Sequence, residues 1–430
     1  MLTDALVWLG GLTRAEAFNA FWHMILLEVP RYLLTAAAVA FVALQRPGFG
    51  GAHPKPGKAE PEGYADITVL LPGHNEADGL RRTVESLHRQ SLAPTQIIVV
   101  DDGSTDSMSD IAADLRREGA VDLVLRSHLR SGKSAAANLG LRYATGSYVV
   151  IADIDTEFAP DAIERMHNEF KDPSVGAVAG NLGVRNAFES LTTIVQAIQY
   201  LVSISTGRIF ADAFNILFIV SGAVGMFRRN ALVGVGGWEV GPGEDADLTE
   251  KLRRAGWRIA FAPGAMAYTD VPTTIPALIR QRMRWNRSLV RIRLEKFAVS
   301  LSPADWRFRL SDAIGHIDIL FFQAFLPFSF AVYLVWLVVA YGGAAPVVLL
   351  AVTMIYIAIA TAIFLFAVIV SGDVRNLRFL TYVPLYSIVS SFILRFVRLV
   401  AILDEILRRG SYKDPYVPRR VLDAAKGDQP

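Results

Sequence analysis

Five clusters in this 430-residue chain combine acidic, basic and aromatic side chains at spacings that suit chemistry on a phosphorylated ligand. Asp153 and Asp155 are two residues apart, so on an extended strand end both carboxylates project to the same side. Such an oxygen pair suits Mg2+ or Mn2+, because a hard divalent ion takes one or two carboxylates and fills its shell with water and phosphate oxygens. Lys133 follows Gly132 at the start of an expected helix, Ser134 to Ala144, where free N–H groups and the helix dipole favour an anion such as a diphosphate. A P-loop is excluded, since the first glycine of its pattern would fall at Ser127. In Asp101-Asp102-Gly103-Ser104, a strand-end carboxylate can accept hydrogen bonds from a base or ribose. The same residues could equally turn the chain, with Asp106 or Ser107 capping the next helix.

Glu244 and Asp245 sit in a glycine-rich loop before an amphipathic stretch, Leu248 to Ala255. They offer a general base, or else, like Asp247, merely decorate a helix N-terminus with acids. Gln281, Arg284 and Trp285 fall at i, i+3 and i+4 and share one helical face. An indole is an apolar platform for a sugar ring, and an arginine pairs with phosphates. With Arg280, Arg282 and Arg287, the same helix also reads as a basic surface lying on a membrane.

The elements that must position these groups alternate. Strands are expected at Ile67–Leu71, Ile97–Val100, Leu123–Leu125 and Tyr148–Ala152. Helices are expected at Gly79–Gln90, Ser107–Glu118 and Ser134–Ala144. This rhythm predicts an α/β, Rossmann-like domain whose largely parallel sheet is covered on both faces. Ligands bind outside the carboxyl ends of such strands, so Asp101-Asp102 and Asp153/Asp155 belong to one rim. Phe188 to Phe227 is apolar but repeatedly interrupted by Gln196, Gln199, Arg208, Asp212 and Asn215, which reads as buried or amphipathic helices and not a membrane hairpin.

The hydrophobic fraction of 52 % exceeds soluble norms, and the excess lies at the two ends. With 43 Lys and Arg against 41 Asp and Glu, the net charge of +2 provides no global field for nucleic acid. The chain has no cysteine, so any metal takes oxygen or imidazole ligands. His23 to Leu44 approaches the length of a spanning helix, and Glu28, Pro30 and Arg31 place its first turns at the interface. It reads as an uncleaved anchor, because a secretory signal would carry more cations than Arg14 and begin earlier. Arg46, Lys55 and Lys58 then put the next domain in the cytoplasm. Three further apolar segments lie at Leu320–Tyr341, Pro346–Val370 and Phe379–Ile402. Three crossings would leave the C-terminus outside, whereas Arg408, Arg409, Lys413, Arg419 and Arg420 argue for inside, so one of the three is expected to be re-entrant or interfacial. Arg395 and Arg398, in the last segment, either line a path or snorkel. The expected boundaries are 1–45 membrane segment, 46–65 linker, 66–272 catalytic domain, 273–316 interface helices, 317–405 membrane region and 406–430 basic tail.

In their order, the five clusters resemble those of the membrane-embedded, processive family 2 glycosyltransferases, which include cellulose, hyaluronan, chitin-oligosaccharide and poly-N-acetylglucosamine synthases. The resemblance runs from about Ile67 to Trp285 and includes the flanking membrane segments. It implies a GT-A glycosyltransferase domain between transmembrane helices, in a bacterial-type inner membrane, that polymerises a β-linked exopolysaccharide from a UDP-sugar with inversion. By the same resemblance Asp102 contacts the uracil end of the donor, Asp155 with Asp153 holds the metal, and Asp245 is the base beside Glu244. Lys133, Gln281, Arg284 and Trp285 serve the donor, and Trp285 also serves the acceptor chain. The family's usual residue before the catalytic acids is Thr, where this chain has Gly243. His74 and Glu76 are open between nucleotide contact and loop support. Ser221 and Gly222 are open between an acceptor site and packing. The modest size favours UDP-N-acetylglucosamine slightly over UDP-glucose. A single-transfer polyprenyl-phosphate enzyme and a degenerate scaffold subunit are the alternatives, opposed by Gln281/Arg284/Trp285 and by the intact acids respectively. The basic tail, which includes Tyr412 and Tyr416, is open between lipid attraction and contact with cyclic di-GMP or a small partner subunit.

Overall fold

The computed structural model describes residues 1–45, 66–413, 418–421 and 423. The expected linker at 46–65, with Arg46, Lys55 and Lys58, lies outside them, as does Tyr416.

Eight strands form one sheet: β1 (Ile67–Gly73), β2 (Gln96–Asp102), β3 (Leu123–Ser127), β4 (Tyr148–Ala152), β5 (Glu157–Phe158), β6 (Val175–Val184), β7 (Val224–Arg228) and β8 (Arg258–Thr269). Their order is β3-β2-β1-β4-β7-β6-β8-β5. The four expected strands pair in parallel. Beyond β4 the sheet is mixed, because β7 runs antiparallel to both β4 and β6. The expectation of a largely parallel sheet therefore holds for one half only. β7 arrives after a helical excursion, Leu191–Gln199 to Thr206–Ala213, and so escapes the handedness that a βαβ crossover would impose. Those helices replace the membrane hairpin that the apolar composition of Phe188 to Phe227 could suggest.

The inner strands are apolar on both faces, as a sheet covered twice requires. Leu80, Val84, Met108 and Ile163 pack on one side of the sheet. Ala137, Leu141, Phe210, Leu248 and Leu252 pack on the other. Gly73 lies opposite Asp101, and Asp102 opposite Ser127, so the loops after β1, β2, β3 and β4 open at one rim.

Three helical stretches among the described residues are long and apolar enough to cross a membrane: Arg14–Leu44, Leu310–Ser371 and Val374–Arg408. The second folds back on itself at Gly342, whose positive φ lets the chain reverse. Leu326–Tyr341 and Ala345–Ser371 then pack together through Phe330, Tyr333, Val352 and Tyr356. The third stretch meets the sheet domain at its start, where Phe379 stacks on Phe188 at 5.2 Å. It meets the same part of the chain at its end, where Asp404 pairs with Arg287 at 2.8 Å.

Glu28 does not sit at an interface. It is 1 % exposed and accepts from both terminal nitrogens of Arg395 at 2.9 Å and from the Tyr356 hydroxyl at 2.5 Å. Arg395 therefore neither snorkels nor lines a path, and Arg398 donates to the Phe322 carbonyl at 3.3 Å.

Two fully buried guanidiniums tie the sheet domain to the first of the C-terminal helices. Arg253 donates from Nε to Asp312 Oδ1 at 3.0 Å and from Nη2 to the Asn215 carbonyl at 2.7 Å. Arg293 donates to Glu250 at 2.8 Å. Removing one partner from such a pair strands a buried charge and costs about 3–5 kcal/mol, whereas replacing both with apolar groups is close to neutral. Arg253→Met should accordingly lower the unfolding midpoint of the detergent-solubilised protein sharply, and adding Asp312→Leu should restore most of it. Equal midpoints for the single variant and the wild type would show that the pair does not carry this junction.

Candidate functional site

The rim formed by the strand ends gathers the clusters around one ammonium group. Gly132, at φ 88°, turns the chain into the Lys133–Tyr143 helix. Asp102 anchors that turn, its two oxygens accepting the Ser131 and Gly132 N–H groups at 2.6 Å each. Burial pushes the Asp102 carboxyl up, against the pull of those two N–H groups. His74 makes a 3.0 Å contact through Nδ1 with the Asp102 carbonyl, and Asn75, itself at positive φ, accepts from Thr105 N–H at 2.8 Å. His74 thus supports the loop. Asp106 caps both neighbouring helices, accepting from Ala77 and Met108 N–H at 3.1 Å each.

Lys133 pairs with Asp153 and donates to the Gly222 carbonyl at 3.2 Å. Burial disfavours its charge, but Asp153, Glu244 and Asp245 together outweigh that and hold it firmly protonated. A Cβ at Gly222 would stand 2.8 Å from Lys133 Nζ, so the segment Ser221-Gly222 belongs to the site and glycine leaves room for the lysine.

Asp153 and Asp155 lie in a turn closed by Thr156 N–H on the Asp153 carbonyl at 3.1 Å, not on an extended strand end. The intervening Ile154 is fully buried, which fixes the turn and leaves both acids at the rim. Thr269 and Thr156 donate to Asp155 at 3.2 and 3.3 Å. Burial and then Asp153 push the Asp155 carboxyl up to about 6. Glu76 is pushed up to about 8, by burial and then by Asp153 and Asp155. Sequence reasoning left Glu76 between the nucleotide and the loop, yet it stands among the acids. It also lines, with Asp155, Asp106, Arg82 and Asp270, a cleft of roughly 330 Å³. Among the described residues no group of three or more His, Asp or Glu side chains is arranged to hold a metal ion alone. The donors present are carboxylate oxygens that repel one another, which fits a hard divalent ion completed by the oxygens of a diphosphate.

Gly243, in the left-handed region at φ 81°, starts the Glu244–Arg254 helix. Glu244 and Asp245 are both enclosed, and burial raises both carboxyls, with Asp245 raising Glu244 further. Lys133 and Arg284 oppose that rise in both, and Ala246 N–H donates to Asp245 at 2.8 Å. Arg284 thus reaches the acids from the Ile275–Val290 helix. Trp285, on the same helix, is 37 % exposed, with the Arg282 guanidinium 4.3 Å over its ring. Arg282 itself is buried and donates to Gln199 at 2.7 Å, and Arg287 is paired, so these two are not the cations of a surface helix lying on lipid. Gln281 Oε1 is buried without a hydrogen-bond partner among the described residues.

One residue of the site was missed. Arg208 donates to the Gly180 carbonyl at 2.8 Å, and its pKa is lowered to about 10 by burial, against the charges of Asp245 and Tyr200. Its signal was a cation in an apolar segment, used only to reject a membrane hairpin.

Residues 68–234 match the family model described as glycosyl transferase family 2. The chain is 34 % identical over 224 residues to a poly-beta-1,6-N-acetyl-D-glucosamine synthase of Staphylococcus aureus, covering 51 % of this chain and 53 % of that protein. It is 32 % identical over 233 residues to the protein of the same name from Staphylococcus epidermidis, covering 53 % and 55 %. It therefore spans about half the length of the curated relatives it matches. Among solved structures, a mannosyltransferase from Pyrobaculum calidifontis in complex with GDP-Man and Mn2+ superposes with a TM-score of 0.58 at 18 % identity, covering 94 % of this chain and 98 % of that one. That likeness shows the fold, a GT-A glycosyltransferase fold.

The raised carboxyls make the protein's stability depend on pH. Glu76 and Asp155 hold protons in the folded state at pH values where the unfolded chain has lost them. In excess chelator, stability is therefore greatest near pH 4 and falls as pH rises through about 6 and then 8. Glu76→Gln should flatten the upper part of that decline in thermal unfolding followed from pH 6 to 8. An unchanged slope would remove Glu76 from the acid cluster.

Proposed function

Because residues 68–234 form a family 2 glycosyl transferase domain, we propose that this protein is an inverting, processive glycosyltransferase. It extends a β-linked polysaccharide from UDP-N-acetylglucosamine. The reading is carried by one observation: Lys133 joins the acid pair after β4 to the acid pair of the Glu244–Arg254 helix at a single rim. The donor preference follows the names of the similar proteins, and UDP-glucose is the second candidate.

In this reading Asp245 takes the proton of the acceptor hydroxyl while that oxygen attacks the anomeric carbon from the face opposite the diphosphate. A carboxyl raised by burial and steadied by Lys133, Arg284 and Arg208 is suited to accept that proton, and Glu244 shares the load. Lys133 and Arg284 balance the charge that collects on the leaving UDP. Asp155 and Asp153 would hold Mg2+ or Mn2+, which when bound adds positive charge against the diphosphate. Asp102 orders the loop beside the nucleotide, and Glu76 belongs with the acids. Trp285 presents its face to the acceptor sugar beside Ser221 and Gly222, with Gln281 offering an unsatisfied acceptor oxygen nearby.

The domain boundaries expected from the sequence are kept, with the helices from Leu310 onward as the membrane part. Both ends of the last apolar segment contact the sheet domain or the helix that follows it, which supports a re-entrant or interfacial course. The C-terminus then lies on the catalytic side, in the cytoplasm by the excess of basic residues. Tyr412 is buried and so is withdrawn from any stacking on cyclic di-GMP.

Purified protein given each UDP-sugar with Mg2+ or Mn2+ should release UDP fastest from UDP-N-acetylglucosamine, and excess chelator should stop it. Asp245→Asn should slow release by about 10²–10⁴ while UDP affinity stays nearly unchanged. Turnover within threefold of wild type would remove Asp245 from the role of base.

Trp285→Ala should shorten the polymer more than it slows donor hydrolysis, read by mass spectrometry of the product beside UDP release. Equal losses would favour the single-transfer alternative, in which no chain needs to be held.

A further inference from the structure

Arg291, one turn beyond Arg287 on the continuous helix after Trp285, connects two distant parts of the chain. It is 6 % exposed. Its Nη2 donates to the Pro242 carbonyl at 2.8 Å, and its Nη1 to the Tyr412 hydroxyl at 3.0 Å. The Tyr412 ring lies beneath the guanidinium at 5.3 Å. Pro242 immediately precedes Gly243, the left-handed residue from which the Glu244–Arg254 helix starts. The fit is close. A Cβ at Gly241 would come within 3.3 Å of Arg291 Nη2, and one at Gly243 within 3.0 Å of Ser288 Cβ. The loop that presents Glu244 and Asp245 is thus seated directly on this helix.

The turn that supplies Tyr412 is itself built. Arg409 adopts the left-handed region at φ 49° and ends the final helix. The fully buried Glu405 accepts the Ser411 N–H at 2.7 Å and the Ser411 hydroxyl at 2.6 Å. Asp404, beside it, takes Arg287. Two links four residues apart, at Arg287 and Arg291, therefore fasten one helix face to this turn, but only Arg291 continues to the acid-bearing loop.

We propose that Arg291 is a positioning residue for Asp245, and that Tyr412, from the turn after the final membrane-length helix, holds Arg291 in that role. The inference rests on the reading of Asp245 as the base. A carboxylate displaced by as little as 1 Å from the acceptor oxygen forfeits about a hundredfold in rate. The effect belongs in kcat, because Arg291 touches neither the Lys133 turn nor the acids after β4.

The test measures donor kcat and KM, UDP affinity and the unfolding midpoint for Tyr412→Phe, Arg291→Lys, Arg291→Met and Arg287→Met in the full-length protein. Tyr412→Phe and Arg291→Met should lower kcat by roughly tenfold to a hundredfold, with KM and UDP affinity within twofold. Arg291→Lys should recover part of the loss. Arg287→Met, which breaks the neighbouring link, should lower the midpoint without that fall in kcat. If Arg291→Met does not fold, Tyr412→Phe and Arg291→Lys, each a smaller change, decide the matter. Wild-type kcat in both of these, or kcat that merely tracks the midpoint across all four variants, overturns the inference. Should Asp245→Asn stay active, the reading of the base fails instead. If Asp245→Asn is inactive while Tyr412→Phe and Arg291→Lys are unimpaired, only this inference falls.

Discussion

A single buried ammonium group holds the acids of this site in one place. Glu76, Asp153 and Asp155 crowd one side of the rim, and Glu244 and Asp245 the other, and burial raises Glu76, Asp155, Glu244 and Asp245 together. At an effective dielectric near 20, two unit charges about 4 Å apart repel by about 4 kcal/mol, so a cluster of this kind disperses or protonates unless cations are shared among its members. Lys133 is shared in that way: it is paired with Asp153 and feels Glu244 and Asp245 strongly enough to stay charged despite its burial. The backbone around it follows from the same need. Gly132 turns the chain into the helix, Asp102 ties down that turn, and Gly222 leaves space for the ammonium.

The fold serves this arrangement by bringing strand ends from both halves of a mixed sheet to one rim. The Lys133–Tyr143 helix follows β3, the Asp153–Thr156 turn follows β4, and the Glu244–Arg254 helix lies against β8. Buried ion pairs then extend the frame outward. Arg253 with Asp312 and Arg293 with Glu250 fix the acid-bearing helix to the first C-terminal helix, while Glu28 with Arg395 binds the N-terminal stretch to the last one. Each of these charges is expensive to bury alone, so each pair specifies its partner more strongly than apolar packing would.

What could be read from the sequence followed physical scale. β1, β2, β3 and β4 and the helices between them were legible because apolar runs of strand length alternate with 3.6-residue patterns and end at Gly, Pro or Asp. β7 was not, since Val224–Arg228 is a short apolar run inside a longer apolar region and nothing local announces an antiparallel return. The acids, Lys133 and Arg284 were recognised as chemistry, but the Asp153–Asp155 turn was misjudged as extended because the burial of Ile154 is a tertiary fact. Glu76, Arg208 and Arg291 acquire meaning only from neighbours far away in the chain. The last apolar segment read as a crossing by length, and only its contacts with Phe188 and Arg287 return both of its ends to the sheet domain.

The central claim is that Lys133 electrically couples the acids after β4 to Glu244 and Asp245. The pH–rate profile of UDP release by Lys133→Gln, beside that of the wild type, tests it most directly, because residual turnover still reports the ionisation of the base. Removing the ammonium should raise the Glu244/Asp245 pair further, so the acidic limb of kcat should move to higher pH by about one unit or more. Superimposable limbs, with activity lost only through a weaker KM for the donor, would show that Lys133 binds the diphosphate without organising the acids.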